Sequence, residues 1–293
     1  MQYFLLVVIA LMWSFVGIMV KAASGMVGSN VITLCRFLFG VIFLGIYMLI
    51  KKEKIKFTWR NKWIWIGVVG KCCNYIFENI AISMGYSYGN IIVGPVQAVF
   101  LAFVSVFLFK ERMQKSKMVS LFLCILGVFF VSWKGQPLSK FYGIGFVSLI
   151  LFSISAIGAG VHLMSQKKLM ETMQSGSMNF SVFLLCTFIT FVPVPFTFKW
   201  IGSFSVAAMI SLIALGFITG ITFYIYANVL KKVSLLPAVI IGNSSVLFTL
   251  IWARIFYHDP INSYVVIGAV MILMGIILLN FPYFKLKRKE KIA

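Results

Sequence analysis

Charge is scarce in this chain, and acidic residues are the scarcest. Only 11% of its 293 residues are charged, and just six are Asp or Glu. A soluble domain carries about 25% charge, so a chain with 61% hydrophobic residues cannot clothe itself in water-compatible surface. Its two histidines, His162 and His258, stand far apart, which argues against an intramembrane metal site. Cys35, Cys72, Cys73, Cys124 and Cys186 all lie in apolar runs without metal spacing. They read as small packing residues, and nothing calls for a disulfide. No GxxxxGK[ST] loop is present, so ATP does not drive the chain directly; HExxH and GxSxG are also missing. Neither a catalytic centre nor a cofactor is expected.

What is present is length in the apolar runs. Ten stretches approach the roughly 20 residues that cross a bilayer: about 3–21, 30–50, 63–84, 88–109, 116–134, 143–164, 178–198, 206–229, 235–257 and 263–283. The first lacks the basic flank and small-residue cleavage site of a signal peptide and is expected to be retained. The basic residues behind the net charge of +20 are concentrated in alternate loops, the opposite loops holding only Lys21, Lys134, Lys140 and Lys199. Lys51, Lys52, Lys54, Lys56, Arg60 and Lys62 share one loop, read as a basic hairpin; Lys110, Arg112, Lys115 and Lys117 share a later one. Lys167, Lys168, Lys231, Lys232 and a basic tail at 284–293 follow on the same side. Basic residues stay cytoplasmic during insertion, so both termini are expected in the cytoplasm of a protein integral to the cell membrane. This spacing argues for membrane lipid rather than nucleic acid as the partner of the positive charge.

A weak internal repeat is visible. A shift of 148 residues places Gly94 on Gly242, Phe100 on Phe248, Glu111 on Asp259 and Gly127 on Gly275. Residues 1–134 and about 143–283 then hold five helices each. Five is odd, so the second copy enters the membrane from the opposite side, a plan common in secondary transporters. Gly94-Pro95 in the fourth helix, Phe109-Lys110-Glu111 at its end and the Gly127 segment beyond it resemble the EamA-type branch of the drug/metabolite transporter superfamily. The resemblance implies an all-α membrane protein of ten transmembrane helices, arranged as two inverted five-helix repeats around a central cavity. It also implies movement of a small metabolite. The second half departs from the pattern, with Asn243 where the proline would repeat.

Polar residues inside the apolar runs mark the candidate site, because charge at membrane depth is costly. Glu78 is the only acid well inside such a run. With a rise of 1.5 Å per residue, it lies roughly 9 Å below the outer end of the third span, with Asn74 at roughly 15 Å and Lys71 at roughly 20 Å. Lys71, Asn74, Tyr75, Glu78 and Ile82 share one helical face. Arg36, in the second span, falls at the depth of Glu78 and is its candidate ion-pair partner. Trp13, Ser14, Gln97, Asn243 and Ser244 reach the midplane from other spans and complete the expected substrate-binding set. Tyr224 and Asn228 lie nearer the cytoplasm and are candidates for an inner gate. His162 reads as an interfacial histidine near an inner helix end. Pro95 and Pro193 with Pro195 are expected to bend their helices, and Gly216 and Gly220 to mark close packing.

The expected activity is secondary active transport of a small polar metabolite by alternating access, with Glu78 as a proton or cation carrier or as the holder of Arg36. If Arg36 neutralises Glu78, Lys71 is left in excess and an anionic or zwitterionic, amino-acid-like substrate is favoured. If Glu78 is free, a cation resting on aromatic faces is favoured. Proton coupling, exchange and a homodimer all stay open. The alternative is a non-transporting intramembrane scaffold or enzyme. A polar cavity bounded by both halves would separate the two readings.

Overall fold

The computed structural model describes residues 2–110, 115–230, 233 and 241–280. Glu111, which the repeat aligns with Asp259, and the basic tail at 284–293 lie outside the described residues. Among the described residues the apolar runs are mostly helical, as hydrocarbon requires: every backbone N–H and C=O there needs an internal partner. Helices α1 (Gln2–Ser14) and α2 (Val16–Ser24) are separated by a turn at Phe15. Next come α3 (Ser29–Ile50) and α4 (Lys62–Met84), the latter started by the Asn61 side chain, which accepts the Trp63 N–H at 2.9 Å. A 3-10 turn, Gly89–Ile92, leads into α5 (Val93–Phe109), which is followed by α6 (Lys115–Trp133), α7 (Phe146–Leu169) and α8 (Ser175–Phe191). Helix α9 (Val206–Phe217) passes through a π-helical turn, Ile218–Thr222, into α10 (Phe223–Leu230). Residues 241–243 are helical, and α11 (Ser245–Tyr257) and α12 (Ser263–Asn280) close the described fold.

Among the described residues, six helical stretches are long and apolar enough to cross a membrane: Gln2–Ser24, Ser29–Ile50, Gly89–Phe107, Lys115–Trp133, Phe141–Leu169 and Val206–Val229. Ser175–Phe191 and Ser263–Leu279 are shorter apolar helices. Helix α4 has the length, 23 residues, but carries the polar face of Lys71, Asn74 and Glu78. The outer surface is studded with large apolar side chains such as Phe107, Phe122, Ile150, Phe188 and Ile210. Water would not tolerate so extensive an apolar exterior, whereas lipid solvates it. The chain is therefore an integral membrane protein.

Three local expectations are corrected. Pro95 does not bend a helix interior; it is the third residue of α5, within the first turn, where its missing N–H leaves no helical bond unmade. Pro193 and Pro195 do not bend α8 either. The helix stops at Phe191; Pro193 precedes, and Pro195 lies within, a separate short turn, Val194–Thr197. The basic loop after α3 is not a hairpin. It turns once at Lys51–Lys52 and then runs extended beside α8, with the Lys56 and Thr58 N–H groups donating to Ser177 and Ser181 Oγ, each at 3.1 Å.

Close backbone approach sets the packing of α4 on α7. A Cβ at Gly158 would lie 2.7 Å from both the Asn74 nitrogen and the Gly70 oxygen. No side chain fits there, and this approach brings the polar face of α4 beside α7. Gly216 and Gly220 meet Phe39 and Gly40 in the same way, so that pair is a packing seam. Helix α6 runs along α12 on a third such seam, joining Gly127 to Gly268. Gly158→Ala is expected to destabilise the protein by about 1–3 kcal/mol, the usual cost of overpacking, read as a fall in detergent melting temperature. Gly28→Ala, with open space around its Cβ, should cost less. Equal melting of the two variants would deny the seam its role.

Candidate functional site

The polar face of α4 opens onto a cavity of about 270 Å3. Trp13, Arg36, Lys71, Asn74, Tyr75, Glu78 and Gln97 line it from the first half of the chain, and Ile218, Phe223, Asn243 and Thr249 from the second. Most of the residues singled out by depth thus meet in one place. Ser14 and Ser244 do not line the cavity. Ser14 Oγ donates to the Leu11 carbonyl at 2.6 Å and accepts from Trp252 Nε1 at 3.0 Å, while Ser244 Oγ donates to the Ile241 carbonyl at 2.6 Å. Tyr224 and Asn228 also stand outside the lining. Tyr224 donates its hydroxyl to Glu53 and packs edge-on against Tyr47.

Arg36 and Glu78 form a buried ion pair, with Nη1 3.1 Å from Oε2. The same Nη1 donates to Asn79 Oδ1 at 2.7 Å, and Asn79 Nδ2 donates to Thr33 Oγ1 at 2.8 Å. The guanidinium also lies 3.6 Å over the Tyr75 ring, which stacks on Phe37. Tyr75 in turn shares a 3.3 Å hydrogen bond with Thr219. One base, one acid and one ring are thereby held between α3, α4 and the π-helical turn.

Lys71 is placed differently. It is buried, at 3% exposure, and no carboxylate pairs with it among the described residues. Its Nζ lies 4.1 Å from the Tyr75 ring centre and 4.0 Å from that of Phe223. Its hydrogen bond to Asn74 Oδ1 is long at 3.4 Å. Aromatic faces attract a cation by roughly 0.5–2 kcal/mol, less than the cost of desolvating an ammonium. Among the described residues the lining therefore holds the cations Arg36 and Lys71 against the single carboxylate Glu78, and the unmatched charge is positive. Neighbouring groups fix the walls. Asn74 Nδ2 donates to Ser155 Oγ at 2.9 Å, and Trp13 Nε1 donates to Thr222 Oγ1 at 3.1 Å.

Depth reasoning missed His162, Gln166 and Asn90, all of which line the cavity. His162 is not interfacial; it is 3% exposed. The signal available was the small-residue stretch Gly158 to Gly160, which lets α4 close on this part of α7. Among the described residues no group of three or more His, Cys, Asp or Glu is placed to hold a metal ion.

The fold has a solved counterpart. A protein crystal structure with 14% sequence identity superposes with a TM-score of 0.69, over 95% of this chain and 98% of that one. No curated protein matches the sequence. The EamA-like transporter family matches residues 1–133 and 146–281, which is nearly the whole chain and includes every residue named around the cavity. The chain belongs to the EamA-like transporter family, whose members are membrane transporters rather than enzymes.

Proposed function

We propose that this protein is a secondary transporter of ten membrane spans, with two inverted five-helix repeats that rock about the central cavity. Two sets of contacts support the repeat. Lys110 and His258 both end a helix in the left-handed conformation, at φ 52° and 51°, and their N–H groups return to Ser105 and Ala253. The 148-residue shift carries each arrangement onto the other. It also carries the contact of Gly127 with the Gly268 oxygen onto that of Gly275 with the Ser120 oxygen. A pair exchanged by one shift in both directions fits a two-fold axis between the halves.

The substrate reading rests on one observation, the buried ammonium of Lys71 with no acid of its own. Arg36 already engages Glu78, so a substrate carboxylate is the group that would complete Lys71. The favoured substrate is a small anionic or zwitterionic metabolite, amino-acid-like in charge. Trp13, Tyr75, Asn74, Gln97 and Asn243 would orient it, and Tyr224 with Asn228 would close the inner end. Both termini are assigned to the cytoplasm from the basic loops. A cavity walled by both halves favours transport over a scaffold.

The test is counterflow in proteoliposomes loaded with amino acids, simple carboxylates or organic cations. Exchange of carboxylate-bearing compounds is expected. Exchange of cations alone would overturn the substrate class, and no exchange by any compound would favour the scaffold. In the same vesicles, Glu78→Gln should remove any stimulation by an imposed pH gradient; unchanged stimulation would take Glu78 out of coupling.

A further inference from the structure

The cavity contains a second unsatisfied group, of opposite character to Lys71. His162 Nδ1 lies 3.0 Å from the Gly67 carbonyl oxygen. A carbonyl only accepts, so Nδ1 carries the proton in this contact. In the neutral ring, Nε2 is then a bare acceptor. It is buried and has no partner among the described residues, and His162, 3% exposed, is one of the residues that line the cavity. Asn90 Oδ1, also in the lining, is a second buried atom without a partner. Buried acceptors normally find donors.

We propose that His162 Nε2 is a specificity-determining acceptor for an N–H or O–H group of the substrate. Resting on the reading of Lys71 as a carboxylate site, this narrows the ligand to a small carboxylic acid that also bears an amino or hydroxyl donor. Lys71 takes the carboxylate and His162 takes the donor. A plain carboxylate would fill the first position and leave the second unmet. A site built around a hydrogen-bonding group rejects analogues that lack it, because its own polar atom stays unpaired.

The experiment uses full-length protein in nanodiscs with 15N-labelled histidine. The His258→Asn background leaves His162 as the sole histidine and suits the left-handed position at His258. The probes are α-amino acids, the matching α-hydroxy acids and the matching unsubstituted carboxylic acids. In the absence of a probe, the spectrum should show the Nδ1–H tautomer; the Nε2–H tautomer would overturn the proposal. An amino or hydroxy acid should then move the Nε2 resonance, and its unsubstituted counterpart should not. An Nε2 resonance unmoved by every probe would overturn it as well. His162→Leu should lose about tenfold of the preference for the donor-bearing acid, the size of one hydrogen bond, and His162→Gln should restore part of it. The readouts separate this inference from transport itself. A compound that exchanges in proteoliposomes without moving Nε2 refutes His162 alone. Movement of Nε2 without exchange of any compound refutes transport and leaves the acceptor in place.

Discussion

Lys71→Met is expected to make the protein more stable and less active at once. The ammonium is buried against Tyr75 and Phe223, and its hydrogen bond to Asn74 Oδ1 is long. Methionine fills similar volume without a charge to desolvate. Apolar replacement of buried charged groups is often stabilising by about 1–4 kcal/mol, and the melting temperature should rise. On the proposed reading, the substrate would lose the one lining cation without a carboxylate partner among the described residues. Removing one side of a buried charge contact costs about 2–5 kcal/mol, so affinity should fall about 30-fold or more. Melting curves and counterflow on the same preparation read both effects. Such a trade is common where a site is held in a state that suits its ligand rather than its own stability. A lower melting temperature with uptake intact would make Lys71 a structural residue and remove the basis of the substrate reading.

The opposite result is expected at Arg36. Arg36→Met strands the Glu78 carboxylate and removes the donor to Asn79 Oδ1. Breaking a buried pair from one side costs about 3–5 kcal/mol, a large part of the stability of most folds. The double variant Arg36→Met/Glu78→Met removes the stranded charge and should recover most of the loss. Unfolding midpoints of the two single variants and the double variant form the cycle. If the double variant melts as low as Arg36→Met, then the Asn79–Thr33 chain or the stacking on Tyr75 holds this corner, and the ion pair does not.

Parts of this site were legible because helices are periodic. Lys71, Asn74, Tyr75 and Glu78 follow three-four spacing, so their common face could be read without coordinates. Arg36 met Glu78 because equal depth on neighbouring helices is a strong constraint for a charge in hydrocarbon. Depth alone carries no direction, however. Ser14 and Ser244 lie at suitable levels, yet each hydroxyl bonds back to a carbonyl three residues earlier, an option always open to serine in a helix. His162 was missed for the converse reason. A position near a helix end suggested an interface, but the glycine contacts between α4 and α7 bury that end. The prolines misled because a span read from hydropathy does not show where the helix within it starts or stops. Family membership follows from nearly the whole chain, whereas substrate chemistry rests on a few side chains whose partners appear only in three dimensions.

The seam between α6 and α12 has a practical use. Neither helix contributes to the cavity wall, and their backbones touch where Gly127 meets Gly268. This pair offers a reference post for spectroscopy: with one label at exposed Phe122 or Val270 and a second on α4 or α9, the proposed rocking would appear as a change in distance. Distances taken from that post would test the proposed motion with no need to know the cargo.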